Sequence, residues 1–290
     1  MTSVIEPYAA ADGLVRVYPA SSSDATPFAG AGLVWAHGGG FVAGDLDMPE
    51  ADWVARAFAA RGITVVSIDY RLVTPEGEHV FPAGSDDVLA GWSWTLDHAG
   101  ELGIDPARVV LGGASAGANL VTGAVLRLLG HEPAAVGPTL PAGVFLAYPT
   151  LLAIQPAADA SLRALLDADP EADRFGPAPV LAMYERYLGG PVTDAPLSAI
   201  PGLAQPADLV GFPPTIVVNG ETDELRVSGE AFAATLAAAG VPVDATTEPG
   251  TRHGHLNLAD DPAAVATVER VTACLARIAD GSNPPVSASR

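Results

Sequence analysis

Short apolar runs rich in β-branched residues alternate along this chain with longer stretches whose apolar positions recur every three or four residues. The runs predict strands at 14–18, 32–36, 63–68, 109–111, 144–147, 215–218 and 241–246. Between them, Trp53, Ala57 and Ala60 mark one helical stripe, and Val88, Trp92 and Leu96 mark a second. Residues 119–129 follow a helical pattern, and Val265, Val268, Thr272, Leu275 and Ile278 share a face near the C-terminus. Strands alternating with helices predict an α/β fold, a mostly parallel sheet covered on both faces. One stretch breaks the rhythm. Residues 151–211 are rich in Pro, Ala and Asp, with one amphipathic helix at 180–188 and no convincing strand, so they are expected to form an inserted helical cap. The expected organisation is therefore a core of residues 1–150 and 212–280, a cap at 151–211, and a disordered tail at 281–290.

Composition narrows the function. The chain has 290 residues, 49% of them hydrophobic, which argues for a packed core. It carries 34 acidic against 14 basic residues, a formal net charge of −20. Every basic residue is Arg, and none of the arginines cluster into a patch that could follow phosphates, so nucleic acid and anionic membrane are not expected partners. Cys274 is the one cysteine, which excludes a disulfide scaffold and a thiolate-rich metal site. Residues 1–11 lack the basic and apolar regions of a leader, and no run approaches the roughly 18 apolar residues of a membrane span, so a cytoplasmic location is expected.

Gly113-Ala114-Ser115-Ala116-Gly117 sits between a predicted strand and a predicted helix, the context of a nucleophile elbow. A turn this tight strains the serine backbone, and glycines two residues to either side remove Cβ atoms that would collide. The alternative is a small-residue turn that merely lets helix and sheet pack closely. His37-Gly38-Gly39-Gly40 closes the second strand, and with the N–H of Ala116 the amides of Gly39 and Gly40 are candidate oxyanion donors. A phosphate-binding turn is the alternative, although no Lys follows it. His37 is expected to fix the loop.

A serine nucleophile needs an imidazole base and a carboxylate to orient it. Of the six histidines, His79, His98 and His131 lie in polar stretches and read as surface residues. His253 and His255 share a Gly-rich loop after the last predicted strand; His253 is favoured because Gly254 lets the loop turn its ring toward the cleft. Glu221, Asp223 and Glu224 compete for the carboxylate. Asp223 is preferred because Leu225 and Arg226 begin a helix that fixes its turn, with a helix N-cap as its alternative role. The order Ser115, Asp223, His253 is that of α/β-hydrolases.

With these motifs the sequence resembles the hormone-sensitive-lipase family of α/β-hydrolases, over about residues 32–279. The likeness extends to Asp69-Tyr70-Arg71-Leu72, to Phe81-Pro82-Ala83 with Asp86-Asp87, and to Tyr148-Pro149 and Phe212-Pro213-Pro214. It implies a mostly parallel eight-stranded sheet, with the cap inserted before the strand that precedes Asp223. It also implies hydrolysis of short- to medium-chain acyl esters by Ser115, His253 and Asp223, without metal or organic cofactor. The implied partners are a small-molecule ester and, through edge strands or the last helix, a second copy in a homodimer. Three features depart from the pattern. Ala114 replaces the usual Asp or Thr, His255 replaces a common Phe, and only 36 residues precede His37, so the cap is expected to rest mainly on the insertion. Phe41, Met183, Tyr184 and Tyr187 are candidate substrate walls, with apolar packing as the alternative. Amide, lactone or carbamate hydrolysis, acyl transfer, and a non-catalytic receptor on the same scaffold are rival functions.

Overall fold

The computed structural model describes residues 6–21, 28–130 and 139–279. His131 and the tail at 281–290 lie outside the described residues. Eight strands form one sheet: β1 (Tyr8–Ala10), β2 (Val15–Tyr18), β3 (Gly32–Ala36), β4 (Thr64–Ile68), β5 (Val109–Ala114), β6 (Gly143–Ala147), β7 (Thr215–Thr222) and β8 (Val243–Arg252). Their order is β1-β2-β4-β3-β5-β6-β7-β8; β2 pairs antiparallel with both β1 and β4, and every other pairing is parallel. The helices are α1 (Pro49–Ala59), α2 (Ala83–Asp97), α3 (Ala99–Leu102), α4 (Ala116–Leu128), α5 (Ala160–Ala168), α6 (Pro177–Leu188), α7 (Arg226–Ala238) and α8 (Pro262–Ala279).

Alternation along β3 sorts the core into two layers. Val34 and Ala36 face a cluster containing Val88 and Trp92 of α2, Leu120 and Val121 of α4, and Phe232 and Leu236 of α7. Leu33 and Trp35 face the opposite layer, with Val54 and Phe58 of α1 and Val268, Val271 and Leu275 of α8. The central strands are thus buried on both faces, as a parallel sheet requires.

Seven strands lie where the apolar runs place them, and three run further than those runs. β5 continues to Ala114, β7 to Thr222 and β8 to Arg252, because backbone pairing carries past the last apolar residue into glycine and polar side chains. The eighth strand, β1, is marked by no apolar run, because three edge residues carry no periodicity. The stripe expected on α1 is displaced. Ala51, Val54, Ala55 and Phe58 are buried, whereas Trp53 and Ala57 are half-buried and Ala60 is exposed, since the bulk of Phe58 and Val54 selects the face that meets the sheet. On α8, Val265 turns outward and Ala264 and Val271 turn inward.

Residues 151–211 hold α5, α6 and two short 3-10 turns, with no strand. Helix α6 inserts Val180, Tyr184 and Tyr187 into the larger core layer, and α5 closes a small cluster of Leu162, Leu166 and Ala172 against Val227. The segment is therefore seated directly on the core. Among the described residues, no helix is long and apolar enough to cross a membrane.

Candidate active site

The parallel strands end on one edge, and β5 delivers Ser115 there at φ 52° and ψ −116°, a backbone conformation that L-residues rarely adopt. Packing enforces it. A Cβ on Gly113 would stand 2.5 Å from the Gly117 carbonyl carbon, and one on Gly117 would stand 2.2 Å from the Ala36 oxygen. No side chain fits at either position, so α4 can start directly after Ser115 and lie against β3 and β5.

β7 and β8 bring the other two groups. Asp223 follows β7 and is completely buried; its Oδ1 accepts the Leu225 N–H at 3.0 Å, and its Oδ2 lies 2.8 Å from His253 Nδ1. A carboxylate can only accept, so Nδ1 carries the proton and Nε2 presents a lone pair. That nitrogen is 2.9 Å from Ser115 Oγ. Ser115 is 8% exposed, covered but open to a cavity of about 440 Å3. The two competing carboxylates have other positions. Glu221 accepts the Gly250 N–H at 2.8 Å and ties β7 to the loop before His253. Glu224 is buried nearby, and burial raises its carboxyl above the ordinary value.

His255 is set apart from Ser115. Its Nε2 lies 3.0 Å from Thr267 Oγ1, whose hydroxyl donates to Glu248, and burial pushes its pKa down to about 4. His37 stacks on Tyr70 with ring centroids 4.4 Å apart, and burial lowers its pKa too. Tyr70 donates to the His37 carbonyl at 2.8 Å, so the loop is braced on both sides of that residue.

Gly38, Gly39 and Gly40 line the same cavity as Ser115. Gly39 adopts φ 129°, and a Cβ there would fall 1.8 Å from the Ala43 oxygen, so the loop tolerates no side chain. Gly38 N–H donates to Glu50 Oε1 at 2.5 Å. Sequence reasoning missed Glu50. It occupies the first turn of α1 yet is 1% exposed, and its Oε2 accepts from the Tyr148 hydroxyl and from Asn257 Nδ2 at 3.3 Å. One carboxylate thus joins the glycine loop to the segment just after His253. Burial, and then the Glu50 charge, hold the Tyr148 hydroxyl well above its usual pKa, so it stays protonated and donates. A signal was present: Glu50, Val54 and Phe58 recur at four-residue intervals on one stripe, and an acid inside an apolar stripe needs buried partners.

Of the four expected wall residues, only Met183 lines the cavity. Phe41 stacks on Tyr187 at 3.9 Å and meets Tyr184 edge-on at 5.6 Å, and all three are buried in the core layer beneath. Apolar packing is the role the structure gives them, with Tyr184 also accepting from Asn119 Nδ2 at 2.8 Å. The remaining wall comes from Met48, Arg174 and Phe175, the last with its ring 4.5 Å from the His253 ring. Among the described residues, no group of three or more His, Cys, Asp or Glu is placed to hold a metal ion.

Known proteins match this arrangement. A family described as having the alpha/beta hydrolase fold matches residues 33–257. The chain is 40% identical over 277 residues to carboxylesterase NlhH of Mycobacterium tuberculosis, covering 92% of this chain and 80% of that protein. It is 32% identical over 251 residues to an ethyl acetate hydrolase of Pseudomonas putida, covering 84% and 71%. Among solved structures, a brefeldin A esterase described as a bacterial homologue of human hormone sensitive lipase aligns with a TM-score of 0.73 at 29% identity, covering 95% of this chain and 76% of that one. A bacterial heroin esterase aligns with a TM-score of 0.71 at 31% identity, covering 91% and 78%.

Proposed function

The chain belongs to the hormone-sensitive-lipase family of α/β-hydrolases, and we propose from that premise that it is a serine carboxylesterase working through an acyl-enzyme on Ser115. Ester hydrolysis is the reaction class. The observation that carries the mechanism is the continuous contact from Ser115 Oγ to His253 Nε2 and from His253 Nδ1 to Asp223 Oδ2. His253 takes the hydroxyl proton as Oγ attacks the ester carbonyl, and buried Asp223 holds the ring and balances the imidazolium. The carbonyl oxygen becomes an oxyanion, met by the amides of Gly39, Gly40 and Ala116. His253 then protonates the departing alcohol, and a water that it deprotonates releases the acid.

Glu50 serves this cycle indirectly by anchoring the amide of Gly38, one residue before the oxyanion donors. Residues 151–211 act as the cap over a core of 1–150 and 212–280, a division supported by Arg174, Phe175 and Met183 in the cavity wall. A small-molecule ester of short to medium acyl chain is the substrate class, consistent with the size of the cavity. A non-catalytic receptor would have no use for the complete relay of nucleophile, base and carboxylate.

The test is a panel of 4-nitrophenyl acyl esters of increasing length beside a 4-nitroanilide, with covalent labelling by a fluorophosphonate. Hydrolysis of the short esters and labelling at Ser115 are expected. A purified, folded Ser115→Ala variant that kept its esterase activity would refute the nucleophile assignment.

A further inference from the structure

The reading of Ser115 and His253 as nucleophile and base leaves open what holds the rest of the ester. Two cavities meet beside the base: the chamber of about 440 Å3 over Ser115, and an outer basin of about 730 Å3. Arg174, His253 and Gly254 line both. Arg174 therefore stands at the junction through which a substrate longer than the chamber would extend.

Its charge is uncommitted. Arg163 is paired with Asp167 and Asp173, and Arg252 with Asp169 and Glu171, whereas Arg174 has no carboxylate within ion-pair distance among the described residues. The other charged group on the chamber wall, Glu50, is occupied by Gly38, Tyr148 and Asn257. The guanidinium is also located. Its Cζ sits 5.6 Å from the Phe175 ring centroid, and that ring lies 4.5 Å from the His253 ring at an interplanar angle of 59°, so cation, phenyl and imidazole adjoin in one row. In a chain of net charge −20, a positive group held in this way beside the base is a feature a neutral ester does not need.

The chemistry says which half of the ester it meets. His253 Nε2 must give its proton to the leaving oxygen, so the alcohol half lies on the imidazole side of Ser115, toward Phe175 and Arg174. The acyl half is left with Gly40 and Met183, whose Sδ would lie 3.5 Å from a Cβ on that glycine. We propose that Arg174 is an anion subsite for the leaving alcohol, and that the preferred substrates are esters whose alcohol half carries a carboxylate or similar anionic group about one aromatic ring away from the ester oxygen.

The experiment compares kcat/KM for 4-acetoxybenzoate and for its neutral analogue 4-acetoxybenzamide in the wild type, Arg174→Gln and Arg174→Glu. The ratio of the two substrates cancels whatever a substitution does to folding or to the chemical step. The anion-to-amide ratio should fall about twofold to fivefold in Arg174→Gln, the size expected of a charge pair on an exposed side chain, and further in Arg174→Glu. The wild-type preference should shrink as salt rises to about 0.5 M. A ratio that does not move on either substitution overturns the proposal. A parallel pair, 4-nitrophenyl hemiglutarate against 4-nitrophenyl pentanoate, places the charge on the acyl half; if Arg174→Gln shifts that ratio instead, the assignment to the alcohol side is wrong. A wild type inert toward 4-nitrophenyl acetate would overturn the esterase reading itself.

Discussion

Replacing Glu50 by Gln removes one acceptor from a buried site that needs two. In the native protein Oε1 takes the Gly38 N–H, and Oε2 takes the Tyr148 hydroxyl and the Asn257 amide. Glutamine can satisfy Gly38 with its oxygen, but its NH2 then faces the Asn257 NH2. That amide cannot simply turn over, because its Nδ2 also donates to the Gly254 carbonyl at 3.2 Å and its Oδ1 accepts the Glu50 N–H at 3.3 Å. Opposed buried donors cost about 1–3 kcal/mol, so Glu50→Gln should lower stability by about 2 kcal/mol. The functional cost follows from the loop. Loss of a whole oxyanion donor typically costs about a hundredfold or more in kcat, and a loop displaced but still present should cost roughly tenfold. The assay is kcat and KM for 4-nitrophenyl acetate beside Ki for an aryl trifluoromethyl ketone, whose adduct with Ser115 places an oxyanion against the same amides. The expected result is a drop in kcat with KM little changed, and a Ki that rises in proportion; a merely structural role would lower Tm and leave Ki alone. One opposing effect exists, since Gln also removes a negative charge from the neighbourhood of the oxyanion. An unchanged or increased kcat would show that charge outweighs position and would refute the reasoning.

Ser115→Ala should abolish hydrolysis and fluorophosphonate labelling while circular dichroism and Tm stay near those of the wild type. His253→Ala should cost kcat several orders of magnitude, and His255→Ala far less, because only the first ring is within reach of Ser115; equal losses would contradict the assignment. Gly117→Ala forces a Cβ to 2.2 Å from the Ala36 oxygen and should cost about 3 kcal/mol or more in urea unfolding, through backbone displacement rather than lost chemistry. His255 gives a pH dependence of known sign: burial holds its pKa at about 4 against 6.5 when unfolded, so stability present above pH 6.5 is lost as pH falls toward 4. The loss from this group is at most about 3 kcal/mol, and His255→Asn should unfold with a flatter pH profile over that window.

What could be read from the sequence was whatever local geometry dictates. The Gly113 and Gly117 spacing has one steric explanation, and the structure supplies it as two carbonyl contacts that exclude any Cβ. Asp223 and His253 could be singled out because each follows a predicted strand in a short turn, and turns at the ends of parallel strands converge on one edge. The cavity wall was less legible. Helix α6 presents Met183, Tyr184 and Tyr187 within one and a half turns, and spacing alone does not say that the two tyrosines enter the core while the methionine faces the chamber. Phe175 and Arg174 lie just before that helix, in a segment without periodicity, and their position depends on how α5 and α6 settle on the core.

Glu50 marks the boundary between the two cases. Its burial was encoded in its place on the stripe with Val54 and Phe58, but its partners come from residues 38, 148 and 257, three strand ends that only the sheet order brings together. The same order explains why one carboxylate can act on both halves of the site. β3 ends in the glycine loop, β6 ends at Tyr148, and the loop after β8 carries His253 and Asn257. A group that ties these three ends fixes the distance between the glycine-loop amides and His253, a quantity that no single strand–loop unit controls. Ser115 is set by local sterics, whereas the registry of His253 against the Gly39 and Gly40 amides is set by a buried charge shared across the sheet edge. Substitutions that preserve every local motif but disturb this shared charge should therefore impair the reaction more than they impair substrate binding.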